Sequence, residues 1–149
     1  MPSASITTRT GIFLVAISAV GLGVALMVSA HLGAAPNDVL NTGVAKVLGT
    51  GVGTASWVTS SIAMLLAWAL RRRPRLATVL GGVIVGLSIN LFMKLLPAPH
   101  AMAPRILMLS LGLLVVWAAI TGVVAADVGA GPLELVMLAI MDRGVGISV

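Results

Sequence analysis

The chain of 149 residues contains no cysteine, no tyrosine and only two phenylalanines, and charged residues make up just 9% of it. Without cysteine there is no disulfide framework and no thiolate metal site, and nothing reports a redox compartment. So few aromatics leave no platform on which bases could stack, so nucleic acid is not an expected partner. The shortage of charge excludes most. A soluble domain carries roughly 25% charged residues, whereas here 59% of residues are hydrophobic and the mean hydropathy is +1.15. Water is therefore not the solvent for most of this surface, and the lipid bilayer is the implied partner. His31 and His100 stand alone without metal-ligand spacing. There is no Ser/His/Asp or Cys/His constellation and no phosphate-binding loop, so neither catalysis nor a cofactor is expected.

What is present is a repeat. Ala30-His31-Leu32-Gly33-Ala34-Ala35-Pro36-Asn37-Asp38 returns ninety-six residues on as Ala126-Asp127-Val128-Gly129-Ala130-Gly131-Pro132-Leu133-Glu134. Ala30, Gly33, Ala34 and Pro36 recur as Ala126, Gly129, Ala130 and Pro132, and the acid Asp38 as Glu134. After a three-residue gap, Gly51-Val52-Gly53 matches Gly144-Val145-Gly146. Internal repetition of this kind signals duplication.

In chain order, residues 1–10 form a polar lead, and 11–30 an uncharged run of about 20 residues, enough to span a hydrocarbon core. A cleaved signal peptide is the competing reading, but the run exceeds the usual signal core of about 7–15 residues. Ala19 with Gly23, and Gly21 with Ala25, stand four apart, which suits either close helix approach or mere membrane composition. Residues 36–48 then predict a short helix. Pro36 fits its first position, Asp38 and Lys46 complement its dipole, and Gly49 can end it. At 1.5 Å per residue it rises roughly 18–20 Å and cannot cross a bilayer. The second span, 51–70, carries Thr54, Ser56, Thr59, Ser60 and Ser61, with Trp57 and Trp68 near its ends as interfacial anchors. A basic turn of Arg71, Arg72, Arg73 and Arg75 follows, holding four of the nine basic residues of a chain whose net charge is +5.

The third span, 76–96, contains Gly82 and Gly86, a GxxxG pair suited to helix packing. Asn90 and Lys94 continue the same series; Lys94 can snorkel to water, and Asn90 needs a partner from another helix. Residues 97–105 form a proline-rich outer loop, 106–126 a fourth span, and 132–143 a second, greasier short helix that favours insertion.

The positive-inside rule places the arginine turn and the N-terminus in the cytoplasm. The first motif copy then lies on the outer side and the second on the inner side. The fold expected is an all-α membrane protein with four transmembrane helices and two short re-entrant or interfacial half-helices. It forms an inverted repeat whose first unit is 11–96 and whose second, 106–149, is partial. By that count the second unit lacks two spans, and the chain reads as part of a protein of about 190–210 residues.

The segments Gly-Leu-Gly-Val-Ala-Leu-Met-Val (21–28), Leu-Gly-Ala-Ala-Pro-Asn-Asp-Val-Leu (32–40) and Gly-Ala-Gly-Pro-Leu-Glu (129–134) resemble the YczE/YyaS/YitT type of bacterial integral membrane proteins. The resemblance covers essentially the whole chain. It implies an inner-membrane location and no established catalytic activity, and it supplies no substrate. Those proteins commonly carry a Ser-Pro-Trp-Asp type sequence where this chain has Ala35-Pro36-Asn37-Asp38, so the aromatic is missing here.

Gly/Pro-interrupted short helices at matched places in two inverted units point to a transporter-like site at the repeat interface. Asp38, Glu134, Asn41 and Asn90 are its candidate pathway residues, and Gly33, Pro36, Gly129, Gly131 and Pro132 its backbone frame. Each acid either binds a cation or proton, as ionisable groups inside membranes usually do, or merely offsets its helix dipole. Both readings stand open. Asp127 and His31, at span ends, suit interfacial anchoring. Asn90 and the hydroxyls of the second span either line a polar path or glue helices together. The leading function is a small transporter or permease of an unidentified small molecule or ion. The alternative is a non-transporting membrane scaffold or assembly partner, and homo-oligomers fit either.

Overall fold

The computed structural model describes residues 6–97, 99–126 and 131–141, and all its regular structure there is helical. Six helices follow in order: α1 (Ile6–Ala30), α2 (Pro36–Leu48), α3 (Val52–Ala69), α4 (Leu76–Leu95), α5 (Met102–Ala126) and α6 (Pro132–Met141). The four long ones, α1, α3, α4 and α5, are apolar and long enough to cross a membrane. α2, with 13 residues, is too short to do so, as is the described part of α6, with 10. Residues 1–5, Asp127, Gly129, the close of the second short helix at Arg143 and the second Gly-Val-Gly at 144–146 lie outside the described residues.

Local chemistry explains where these helices start and stop. α2 has the predicted bounds: Ala35 is extended before it, Pro36 opens it, and Gly49 closes it at φ 63°, the left-handed cap that glycine adopts without strain. α1 is already helical at Ile6, the first described residue, ahead of the apolar run, and within it the Thr10 hydroxyl donates back to the Ile6 carbonyl at 2.9 Å. α5 likewise begins at Met102 and takes Pro104 into its first turn, where a missing N–H costs nothing. The proline-rich connection is shorter for it.

Contacts between small residues give the helix directions. Gly23 and Gly112 lie against each other's helices, Gly122 lies against Ala16, and Arg9 Nε donates to the Ala126 carbonyl at 2.9 Å. α1 and α5 are therefore antiparallel. Gly21 abuts Ser88 and Val85 while Gly81 abuts Phe13 and Ile17, so α1 and α4 are parallel. Gly53 meets Gly86 and Asn90 while Gly82 faces Ser60 and Met64, so α3 and α4 are antiparallel. It follows that the last residues of α1 and α5, Ala30 and Ala126, sit at opposite ends of the bundle. Gly21 and Gly23, two residues apart and hence about 200° apart around α1, serve different neighbours. α1 is the central helix between α4 and α5, and the rest of α5 faces outward, with Trp117 70% exposed.

The core lies where four helices converge: Val24 of α1, Ala45 of α2, Val52 and Ala55 of α3, and Ile89 of α4. Beside it is the tightest crossing of the fold. A Cβ on Gly53 would collide with the Gly86 carbonyl, and one on Gly86 would collide with the Trp57 indole. Trp57, near the start of α3, takes part in this crossing. Its ring fills the groove that Gly86 leaves open, and its Nε1 donates to the Val83 carbonyl at 3.1 Å.

Candidate functional site

α2 packs antiparallel on α3. The Thr59 hydroxyl donates to Asn41 Oδ1 at 2.6 Å, and Ala45, one turn later, packs with Val52 and Ala55. Thr59 lies near the middle of α3. The chain therefore leaves α1 at one end of the bundle, runs back through 31–35, and starts α2 beside the middle of α3. α6 behaves alike: its first residue, Pro132, lies 3.9 Å from the position of a Cβ on Gly82, the seventh residue of α4. Both short helices begin alongside interior stretches of α3 and α4 rather than at their ends.

Between them lies a cavity of about 820 Å³, within the range of small-molecule sites, roughly 300–1,000 Å³. Asn37 and Leu40 reach it from the start of α2, and Gly131, Pro132, Leu133 and Glu134 from the start of α6. Hydroxyls of Ser56, Thr59, Ser60 and Thr78 supply hydrogen-bonding walls, while Phe13, Ile17, Ile120 and Val123 supply apolar ones. Arg72, Arg73 and Arg75 line it at the end where α3 turns into α4. Such a chamber can hold a small molecule with both polar and apolar parts.

The candidate residues part company here. Asp38 is 5% exposed and Asn41 1% exposed, on the face of α2 turned to α3. Among the described residues no donor reaches the Asp38 carboxylate; the Thr42 hydroxyl bonds only its backbone carbonyl, at 2.7 Å. Burial pushes the Asp38 carboxyl up to about 6. Glu134, its counterpart in sequence, is exposed, lines the cavity and accepts the Gly131 N–H at 3.0 Å, so it caps the start of its own helix. Equal places in the repeat do not mean equal environments.

Asn90 is not in the cavity wall. Its Oδ1 accepts the Gly53 N–H at 3.0 Å and its Nδ2 donates to Thr54 Oγ1 at 3.1 Å. The first N–H groups of a helix have no partner within it, and the residue before α3, Gly51, offers no side chain. Asn90 caps α3 from the neighbouring helix. Gly33 adopts φ 152° in the turn before Pro36, a conformation that suits glycine. Gly82 lines the cavity, whereas Gly86 belongs to the α3–α4 crossing. Sequence reasoning missed the weight of Gly53 and Gly112. Gly53 carries a signal, since it belongs to the repeated Gly-Val-Gly; Gly112 is a lone glycine in an apolar span and carries none. Among the described residues no group of three His, Asp or Glu side chains could hold a metal ion.

No solved structure matches the chain. A protein of Haemophilus influenzae described only as uncharacterized is 30% identical over 132 residues, covering 89% of this chain and 61% of that protein. The chain thus spans about three-fifths of the length of the curated relative it matches. Residues 7–148 match the profile of a family of unknown function, DUF6198. With that match running over nearly its whole length, the chain belongs to the DUF6198 family.

Proposed function

We propose that the protein is a small multi-pass transporter or permease of the bacterial inner membrane, with its pathway where the two motif copies meet. The observation that carries this reading is the cavity reached by the first turns of both α2 and α6. Short helices that begin inside a bundle and present matched Gly/Pro motifs from opposite ends are the arrangement transporters use around a central site. The antiparallel pairing of α1 with α5 supports an inverted repeat, with α2 and α6 as re-entrant elements. The likeness to YczE/YyaS/YitT-type proteins supports the location alone. The cargo is a small molecule or ion able to meet hydroxyls and apolar walls together, and no catalysis is needed.

Orientation follows from charge. By the positive-inside rule, Arg71, Arg72, Arg73 and Arg75 support a cytoplasmic α3–α4 turn and N-terminus and an outer α4–α5 turn. Reporter fusions after Arg75 are expected to be active only in the cytoplasm, and fusions after Pro99 only in the periplasm. A periplasmic signal after Arg75 would remove the orientation.

The absence of native cysteine makes accessibility the natural test of the pathway. Ser60→Cys and Thr78→Cys, in the cavity wall, are expected to react with a membrane-impermeant maleimide added from the cytoplasmic side. Leu114→Cys and Trp117→Cys, on the outward face of α5, are expected to stay unreacted in lipid. Four equally inert positions would favour a scaffold without a pathway.

A further inference from the structure

Asp38 is a buried acid that pairs with no counter-charge among the described residues. An ionised carboxylate largely out of water needs a cation or several donors, and no described residue bonds Asp38's, whose oxygens keep a little exposure; the guanidinium groups of Arg72, Arg73 and Arg75 line the same cavity, but at the end where α3 turns into α4. α3, which packs on the face carrying Asp38, has no titratable residue from Val52 to Ala69. α1 beyond Arg9 and α4 before Lys94 have none either, and Lys94 is exposed. On its own helix Lys46 is exposed, and at eight residues' distance it lies about 12 Å along the axis. His31, in the turn before α2, is exposed as well. Asn41 Oδ1 is engaged by Thr59. A place in the first turn of a helix favours the charged form, but only weakly beside the loss of water.

We propose that Asp38 is a proton-binding site beside the cavity, protonated while the α2–α3 contact is closed and releasing its proton when cavity water reaches it. In that step the carboxylic O–H bond breaks, the proton passes to a water molecule, and the carboxylate keeps the electron pair. The route is short, because Asn37 and Leu40 flank Asp38 along the chain and line the cavity, as does Thr59 across from them. Glu134 does not share this role, being exposed and spent on the Gly131 N–H. Coupling of this proton to cargo movement rests on the permease reading; the binding of the proton does not.

The test compares native protein with Asp38→Asn in detergent, following the thermal midpoint from about pH 4 to pH 8. Since the folded state holds the proton more tightly than the unfolded chain, the stability contributed by the protonated form is complete below the ordinary value of 3.8. It is lost as pH rises through about 6. The native midpoint is expected to fall by several degrees over that window relative to D38N. Parallel curves would overturn the proton site. If D38N does not fold, the carboxylic C=O band in the infrared serves instead, read on Glu134→Gln protein. Its persistence at pH 5.5 and disappearance by about pH 7 supports the site, and its absence at pH 5.5 overturns it. Restoration of the midpoint at pH 8 by sodium chloride but not choline chloride would also overturn it, in favour of a monovalent cation. A cavity closed to water would overturn the release step and with it any coupling, while the pH dependence of the midpoint would still report on proton binding, so the two failures are distinguishable.

Discussion

Gly86→Leu is expected to abolish the folded protein, and Gly86→Ala to lower its yield sharply, while Gly82→Ala changes little. The two glycines look alike in sequence, four residues apart on one helix. In the fold a Cβ on Gly86 would run into the Trp57 indole and stand 2.7 Å from the Gly53 carbonyl. Nothing there can give way cheaply, because the indole N–H is tied to the Val83 carbonyl and the other neighbour is backbone. Even a modest overpacking costs roughly 1–3 kcal/mol, and association of helices in lipid depends on such close contact. A Cβ on Gly82 would instead meet Met64 at 3.4 Å and Ser60 at 3.7 Å, ordinary van der Waals distances. Monodisperse yield and thermal midpoint in detergent would separate the three variants. Equal behaviour of Gly82→Ala and Gly86→Ala would contradict the crossing described above.

Asn90→Leu is expected to cost about 1–3 kcal/mol, the range for a buried donor left without a partner. Leucine matches asparagine in size but leaves the Gly53 N–H at the start of α3 uncapped, in a place where lipid offers no substitute. The loss is specific to that end: hydrogen exchange at the Gly53 amide is expected to accelerate while amides in the middle of α5 keep their protection. Thr54→Val in the same background is expected to add little, since its hydroxyl has already lost Asn90 Nδ2. A fully additive second loss would show that the two residues act independently.

Much of the fold was legible in the sequence because membrane spans announce themselves by length and composition. The bounds of α2 were legible for a sharper reason: Pro36, Asp38, Lys46 and Gly49 each fit one helix position and no other. The start of α5 was not, because a proline tolerated in a first turn leaves no trace in hydropathy. The candidate site was legible only in part. The repeat drew attention to Asp38 and Glu134 together, but burial is a property of neighbours, and the duplication fixes neither their environments nor their partners. Asn90 was recognisable as a residue in need of a bond, yet its acceptor role at Gly53 depends on how α3 crosses α4. The packing of Trp57 into the groove beside Gly86 depends on that same crossing.

Asn37 sits at the point where α2, the cavity and the buried face of Asp38 adjoin. Asn37→Cys, in a chain with no other thiol, can be challenged with an impermeant maleimide on right-side-out and on inverted membrane vesicles. A pathway that opens alternately to the two sides predicts reaction from both faces, each blocked by prior treatment from the other. Reaction from neither face, or from one face alone under every condition tried, would contradict a passage through the cavity and leave the protein a membrane scaffold.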